Sequence, residues 1–200
     1  MKFSRPNFIG IGAHKAGTTW LYQALKKHPE IWLPPVKELH FFDRSTNYLS
    51  PNTLATSSPL KRFLGSRYWE RPRIIRELRA LSQRMQQGEF SDFWWWWRWI
   101  FGHYQDDWYQ NLFTHIGNSK ICGEITPAYA VLELEDIAKI HKINPQAKLI
   151  YMIRNPIERD WSAIRYDVSS GYLKLDLSSE DAIISVSYTH LRAHETKANL

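Results

Sequence analysis

A glycine-rich turn near the start of the chain has the residues of a phosphate-binding loop. The run Gly10-Ile-Gly-Ala-His-Lys-Ala-Gly-Thr-Thr-Trp20 follows a short apolar segment that predicts a buried strand. A helical pattern extends from Thr18 to Lys27, with Leu21, Leu25 and Trp20 or Ala24 on one apolar face. A strand, a glycine-rich turn and a helix start aim backbone N–H groups and a helix N-terminus at one point. This arrangement is typical of a site that binds an anion.

The lysine of this turn is displaced from the position it has in nucleotide-binding loops. Those loops read G-x-x-x-x-G-K-[S/T], with lysine directly after the second glycine. Gly12 and Gly17 keep the glycine spacing and Thr19 falls on the hydroxyl position, but Thr18 stands where the lysine would be. The cation is instead Lys15, so the turn predicts a phosphate site of a different kind.

A second predicted strand also ends in a basic residue. Residues 148–153 are mostly apolar and run directly into Arg154, and Pro156 suits the first turn of a following helix. Arg154 is therefore expected at the carboxyl end of a strand, where open α/β sheets bind ligands. Ser162 lies two turns down the helix, and its reach to the same anion depends on the helix orientation. Alone, this segment also fits surface charges around a helix start.

Four segments, in order along the chain, resemble the sulfotransferases that use 3′-phosphoadenosine 5′-phosphosulfate (PAPS). The glycine-rich turn resembles their 5′-phosphosulfate loop, and Arg154-x-Pro156 with Ser162 resembles their 3′-phosphate motif. Residues 37–43 (Lys-Glu-Leu-His-Phe-Phe-Asp) and 123–129 (Gly-Glu-Ile-Thr-Pro-Ala-Tyr) resemble segments of the carbohydrate and heparan-sulfate branch. The resemblance implies a bacterial-type sulfotransferase with PAPS as the sulfuryl donor.

The resemblance also implies which residues contact the donor. It places the 5′-phosphosulfate against one run: Lys15, Ala16, Gly17, Thr18, Thr19 and Trp20. It places the 3′-phosphate against Arg154 and Ser162. As a fixed cation, Lys15 would stabilise the charge that grows on the leaving oxygen.

The acceptor must lose a proton, and a nearby carboxylate serves as general base for such a step. The resemblance assigns this role to Glu38, while Lys37 either assists charge stabilisation or is solvated. His40 is the second candidate because unperturbed histidine titrates near neutrality. His14, beside the turn, is a further possible base, although histidines are common in this chain.

No metal is implied by these segments. Phosphoryl transfer on P-loops uses Mg²⁺ held by the loop hydroxyl and an acid at a strand end, whereas here Arg154 follows the strand. Glu124 follows an apolar strand, but we interpret it as structural or acceptor-side because Thr126 and Pro127 continue the family segment. Two alternatives stay open: a Mg²⁺-dependent P-loop kinase or NTPase, and a non-catalytic module that binds carbohydrate or membrane.

Composition fits an enzyme with an anionic substrate. Lysine and arginine total 26 against 20 acidic residues, a net charge of +6, which suits PAPS. Nucleic acid is not the expected partner because no nucleic-acid motif is present, and the single Cys122 excludes an intramolecular disulfide. We expect a carbohydrate acceptor, with lipid, peptide and small metabolite open. Without a signal peptide or transmembrane segment, the expected location is cytoplasmic.

The expected fold is α/β, a P-loop-like three-layer sandwich in which helices flank a central parallel sheet. Strands are predicted near residues 7–12, 119–125 and 148–153, with a further short strand at 30–33. The sulfotransferase domain is expected over residues 1–185 and to be incomplete at its C-terminus.

A basic, tryptophan-rich insertion is expected at about residues 45–107. Within it, residues 45–60 predict a loop and 61–84 a basic amphipathic helix. The run Phe-Trp-Trp-Trp-Trp-Arg-Trp-Ile-Phe at 93–101 is too short to span a bilayer. It packs on the core, lines an acceptor site, or docks peripherally on a membrane, and the sequence does not decide among these.

The last residues are expected to be non-native. Residues 186–200 lack clear periodicity and resemble translated adapter sequence, with a native polar tail as the alternative. Residues 176–184 predict only the capped start of a helix. We therefore expect a fragment that lacks the loop closing over the donor and is itself weakly active or inactive.

Overall fold

A computed structural model describes the following residues of the chain: 5–45, 47–48, 70–86, 92–102, 105–114, 121–171, 173 and 184. Two units are distinguished by their internal contacts. The first comprises Met1–Gly12 and Thr18–Tyr151, and the second comprises Ala13–Gly17 and Met152–Leu200. The expected tail at 186–200 and most of the loop predicted at 45–60 lie outside the described residues.

Among the described residues, four parallel strands form one sheet in the first unit. They are β1 (Phe8–Gly12), β2 (Ile31–Trp32), β3 (Ile121–Ile125) and β4 (Lys148–Tyr151), in the order β2-β3-β1-β4. Strand β1 pairs with β3 on one side and β4 on the other. The predicted α/β fold with a central parallel sheet is confirmed, and so is the short strand predicted at 30–33. Strand β4 ends two residues earlier than predicted.

Two glycines of the sheet are required because neighbouring atoms lie against their backbone. A Cβ atom added at Gly12 would lie 2.8 Å from the Tyr151 ring and 2.9 Å from the Cβ of Ala130. At Gly123 it would lie 2.5 Å from the carbonyl oxygen of Phe8. These distances are shorter than van der Waals contact, so glycine permits the close approach. Gly12 in β1 and Gly123 in β3 are therefore required by the close packing around the sheet.

Six helices lie within the described residues, five in the first unit and the last one in the second. In chain order they are α1 (Thr18–Lys26), α2 (Glu70–Gln86), α3 (Phe93–Phe101), α4 (Asp106–Asn111), α5 (Leu134–Ile143) and α6 (Pro156–Ser169). A 3₁₀ turn, Pro127–Val131, follows β3. Helix α2 corresponds to the predicted basic helix, of which residues 61–69 lie outside the described part. The helix start predicted at 176–184 also lies outside it, except for residue 184.

The apolar face predicted for α1 is partly wrong. Leu21 and Leu25 pack against the core as expected, but Trp20 is 71% exposed and Ala24 is also exposed. The buried aromatic residue is Tyr22, whose hydroxyl donates to the carbonyl oxygen of Pro34 at 2.6 Å. This hydrogen bond satisfies the polar end of the ring and allows its burial.

The tryptophan-rich helix α3 packs on the core through one face. Trp95, Trp96 and Trp99 are buried and join the same cluster as Phe41 and Tyr109. The opposite face is exposed and consists of Trp94, Trp97 and Phe101. The interpretation of this run as a core-packing segment is therefore confirmed for three of its seven aromatic residues.

Candidate active site

The glycine-rich turn at residues 13–17 has the backbone of an anion-binding loop. Its φ angles are positive at Lys15 (62°) and Gly17 (92°). The N–H of Ala13 donates to the carbonyl oxygen of Met152 at 3.1 Å, and the N–H of Ala16 donates to that of Ala13 at 3.3 Å. A change between right-handed and left-handed backbone conformations directs successive N–H groups to the same side, which creates a concave site for anions. The turn therefore fits a phosphate group.

Lys15 and Arg154 lie together in the second unit. The guanidinium Nη1 of Arg154 donates to the carbonyl oxygen of Lys15 at 3.2 Å. The Nζ of Lys15 lies 3.3 Å from the centre of the Tyr166 ring, within the range of a cation–π interaction. The structure thus joins the two basic residues that the sequence assigned to separate phosphate motifs.

Helix α6 presents a row of side chains next to these cations. Glu158, Ser162 and Tyr166 are spaced four residues apart, so they follow one another along one helix face. Glu158 pairs with the Nε of Arg154 at 3.2 Å, and Tyr166 contacts Lys15. The half-buried Ser162 therefore lies between the partners of the two cations. The spacing therefore places Ser162 on the helix face that carries Glu158 and Tyr166.

The start of α6 follows from its local sequence. The side-chain oxygen of Asn155 accepts hydrogen bonds from the N–H groups of Ile157 at 3.0 Å and Glu158 at 3.4 Å. Pro156 occupies the first turn, where its missing N–H costs nothing. This cap fixes the start of α6 two residues after Arg154.

The remaining residues predicted to contact the donor lie at or near the start of α1. Thr18 is buried, Thr19 and Trp20 are exposed, and Ala16 of the turn is buried. The first turn of α1 has no acidic residue. The positive end of the helix dipole is therefore not offset there, which favours an anion.

A second cluster, in the first unit, contains the predicted bases. Glu38 forms an ion pair with Lys37, and its other carboxylate oxygen lies 3.4 Å from the Nε2 of His40. The Nδ1 of His40 lies 2.7 Å from a carboxylate oxygen of Asp43. Glu38 and His40 both have left-handed backbones, with φ of 66° and 54°. The structure therefore brings the two candidate bases into contact.

The environment of Glu38 keeps its carboxyl group ionised. Burial raises the pKa of Glu38, but the hydrogen bond with His40 and the charge of Lys37 outweigh it, so the pKa lies well below its usual range. The Glu38 side chain is 28% exposed, whereas that of His40 is 3% exposed. Glu38 is thus a carboxylate that solvent and an acceptor group can reach.

Glu124 occupies the opposite kind of environment. It is 1% exposed and accepts hydrogen bonds from the hydroxyls of Tyr109, Thr126 and Tyr129. Burial raises the pKa of Glu124 to about 7, although the hydrogen bonds of Tyr109 and Thr126 oppose that rise. Its complete enclosure supports the structural interpretation made from the sequence.

Comparison with known proteins identifies the family. The family model described as "Sulfotransferase family" matches residues 6–199, nearly the whole chain. The chain belongs to the sulfotransferase family. This is an enzyme family, and the match agrees with the order of the four segments noted in the sequence.

Curated sulfotransferases match this chain over a part of their length. Carbohydrate sulfotransferase 15 of Rattus norvegicus is 30% identical over 169 residues, which are 82% of this chain and 28% of that protein. Membrane-associated sulfotransferase kil1 of Dictyostelium discoideum is 26% identical over 186 residues, 93% of this chain and 27% of that protein. The chain thus spans less than a third of the length of these relatives.

A solved sulfotransferase shares the fold. The crystal structure of the sulfotransferase from Alicyclobacillus acidocaldarius superposes with a TM-score of 0.53 and 24% sequence identity. The similarity covers 86% of this chain and 54% of that one. It supports the α/β architecture of this sulfotransferase-family chain.

The predicted site residues of the sulfotransferase-family chain fall into two clusters. Lys15, Arg154 and Ser162 share the second unit, and Glu38 and His40 share the first. Sequence reasoning missed Tyr166, the partner of Lys15, and Asp43, the partner of His40. The available signal in each case was a short spacing: Tyr166 follows Ser162 by four residues, and Asp43 follows His40 by three.

Membrane-spanning helices and metal-binding clusters are both absent from the described residues of this sulfotransferase-family chain. In that part of the chain, no helix is long and apolar enough to cross a bilayer. Nor do its histidine, cysteine and acidic side chains form a group of three or more arranged to hold a metal ion.

Proposed function

We propose that this protein transfers a sulfuryl group from PAPS to a hydroxyl or amine of a carbohydrate. The observation that carries the proposal is the 3.2 Å contact between the Arg154 guanidinium and the Lys15 carbonyl oxygen. It joins, within one unit, the two segments whose motifs imply a 5′-phosphosulfate and a 3′-phosphate. A nucleotide with anionic groups at both positions suits two adjacent cations and a concave turn.

The roles of the donor-binding residues follow from their chemistry. The backbone N–H groups of residues 16–19 and the hydroxyls of Thr18 and Thr19 bind the 5′-phosphate. Arg154 and Ser162 bind the 3′-phosphate, since a guanidinium offers paired donors that match phosphate oxygens. Trp20 supplies an exposed ring beside the same turn.

In the transfer step, the acceptor oxygen or nitrogen forms a bond to sulfur. The bond between sulfur and the bridging phosphate oxygen breaks, and 3′-phosphoadenosine 5′-phosphate leaves with the electron pair. Lys15 stabilises the negative charge on this leaving oxygen. The proton of the acceptor passes to Glu38, so atoms and charge balance without another reactant.

Glu38 suits the role of base better than His40. Its carboxylate is ionised near neutral pH and is the more exposed of the two side chains. His40 is enclosed between Glu38 and Asp43, where it holds the Glu38 carboxylate in place. Glu38 therefore takes the proton and His40 orients it.

The proposal of a carbohydrate acceptor is based on the similar proteins. Proteins named carbohydrate sulfotransferase 15 are 29–30% identical to this chain. The net charge of +6 also favours acceptors that carry acidic groups. A carbohydrate with uronic acid or earlier sulfation is the acceptor class that we propose.

Calorimetric binding of 3′-phosphoadenosine 5′-phosphate tests the donor site. We expect metal-independent binding by the wild type and at least about tenfold weaker binding by Arg154→Ala, because a charged hydrogen-bond pair contributes about 1.5–3 kcal/mol. Arg165→Ala removes an exposed arginine of α6, the helix that follows Arg154, and is the matched control. It is expected to bind as the wild type does.

Other outcomes would favour the alternative functions. Binding of ATP that requires Mg²⁺, without binding of 3′-phosphoadenosine 5′-phosphate, would indicate a P-loop kinase or NTPase. Carbohydrate or vesicle binding that survives Lys15→Ala, in a protein that binds no nucleotide, would indicate a non-catalytic module. Equal affinities of Arg154→Ala and the wild type would contradict the assignment of Arg154.

A further inference from the structure

The segment that carries Glu38 and His40 has a backbone that needs external support. Both residues have positive φ, 66° and 54°. For residues other than glycine such conformations are strained and persist only where the surroundings enforce them. Groups of the surrounding fold must therefore enforce both conformations.

Two buried hydroxyls hold the amides on either side of His40. The N–H of Leu39 donates to the Oγ1 of Thr126 at 3.0 Å. The N–H of Phe41 donates to the hydroxyl of Tyr129 at 2.9 Å. These amides alternate with Glu38 and His40 along the chain. Fixing them therefore restricts the φ and ψ angles that aim both functional side chains.

Glu124 sets the direction of both hydroxyls. The Thr126 hydroxyl donates to one carboxylate oxygen at 2.8 Å, and the Tyr129 hydroxyl donates to the other at 3.3 Å. A hydroxyl has one proton, so donating it to Glu124 leaves the lone pairs to accept the N–H groups of Leu39 and Phe41. When Glu124 is ionised, its carboxylate offers only acceptors, which fixes this direction.

We infer that Glu124, Thr126 and Tyr129 form a positioning relay that holds Glu38 and His40 in the geometry needed for sulfuryl transfer. The inference rests on the proposed function, because it treats Glu38 as the base. The relay is enclosed: Thr126 is 0%, Glu124 1% and Tyr129 3% exposed. Hydrogen bonds in such surroundings are stronger than in water and resist exchange.

The test uses two variants that each delete one hydroxyl, Thr126→Val and Tyr129→Phe. We expect each to lower kcat about 10- to 100-fold, since small misplacement of a reacting group has effects of this size. Turnover is measured as transfer of ³⁵S from labelled PAPS to a mixture of uronic acid-containing oligosaccharides. The affinity for 3′-phosphoadenosine 5′-phosphate is expected to stay within about twofold, because neither residue belongs to the donor motifs.

Tyr48→Phe is a matched control for a merely structural loss. The Tyr48 hydroxyl accepts from the N–H of Glu133 at 2.9 Å and donates to Asp136 at 2.6 Å. It therefore has the same amide–hydroxyl–carboxylate arrangement at the start of α5. We expect Tyr48→Phe to lose comparable stability and keep its kcat. If kcat falls in all three variants in proportion to stability, the relay has only a structural role and the inference is wrong.

A double variant separates this inference from the proposed function. Because Thr126 acts through Glu38, Glu38→Gln with Thr126→Val is expected to be no slower than Glu38→Gln alone. Additive losses would overturn the relay and leave Glu38 as the base. Wild-type turnover by Glu38→Gln would instead overturn the proposed base.

Amide hydrogen exchange at Leu39 and Phe41 gives a readout that needs no acceptor. Both amides are expected to exchange slowly in the wild type, and Leu39 to exchange at least about fivefold faster in Thr126→Val, because that variant removes its buried hydrogen-bond partner. Unchanged exchange of Leu39 in that variant would contradict the relay whatever the turnover.

Discussion

At the residue scale, two glutamates of the first unit show how environment divides their roles. Glu38 is held ionised by Lys37 and His40, whereas burial raises the pKa of Glu124 to about 7. The resemblance to the sulfotransferases implied Glu38 as the base. The resemblance did not predict the support by Thr126, because that hydroxyl lies 87 positions after Leu39, whose N–H it accepts.

Glu124→Gln is expected to flatten the pH dependence of the free energy of unfolding. Burial raises the pKa of Glu124 from 4.5 to about 7, so the folded protein keeps a proton that the unfolded chain releases between these values. The stability from this proton is present below pH 4.5 and is lost as pH rises to about 7. The loss is on the order of 3 kcal/mol.

Urea unfolding at pH 5 and pH 8 measures this effect. The wild type is expected to lose more stability between the two values than Glu124→Gln does. Glu135→Gln, at an exposed position, serves as control and is expected to behave as the wild type. Equal pH dependence in the wild type and Glu124→Gln would contradict the argument.

At the element scale, local sequence determined the order of strands and helices but not every buried face. The strand, turn and helix around Lys15 and the capped start of α6 were predictable from periodicity, glycine spacing and Pro156. The burial of α3 was left open, since it depends on partners such as Phe41 and Tyr109 that are distant in sequence. Trp20 was misassigned for the same reason.

The two faces of α3 predict different costs of truncation. Trp96 is 2% exposed, so Trp96→Ala is expected to lower the free energy of unfolding by about 3–5 kcal/mol, through lost burial and a cavity. Trp97 is 51% exposed, and Trp97→Ala is expected to change stability by less than about 1 kcal/mol. Denaturant unfolding of both variants measures the difference, and similar losses would show that the face assignment is wrong.

At the scale of the whole molecule, the family and the sheet were both predictable from the sequence because the motifs mark strand ends. The family match extends over residues 6–199, while the curated relatives are more than three times as long as the matched region. The donor motifs and the proposed base all lie within residues 15–162. We therefore expect donor binding and sulfuryl transfer to depend on this part of the protein.

The most direct test of the central claim is ³⁵S transfer from labelled PAPS to uronic acid-containing oligosaccharides by the wild type and Lys15→Ala. Lys27→Ala, which removes an exposed lysine, is the control. We predict slow transfer by the wild type and Lys27→Ala, as expected of a weakly active chain. Lys15→Ala is predicted to lose at least about 100-fold, because the cation stabilises the leaving group. Transfer by Lys15→Ala at the wild-type rate would contradict the proposed sulfuryl-transfer mechanism.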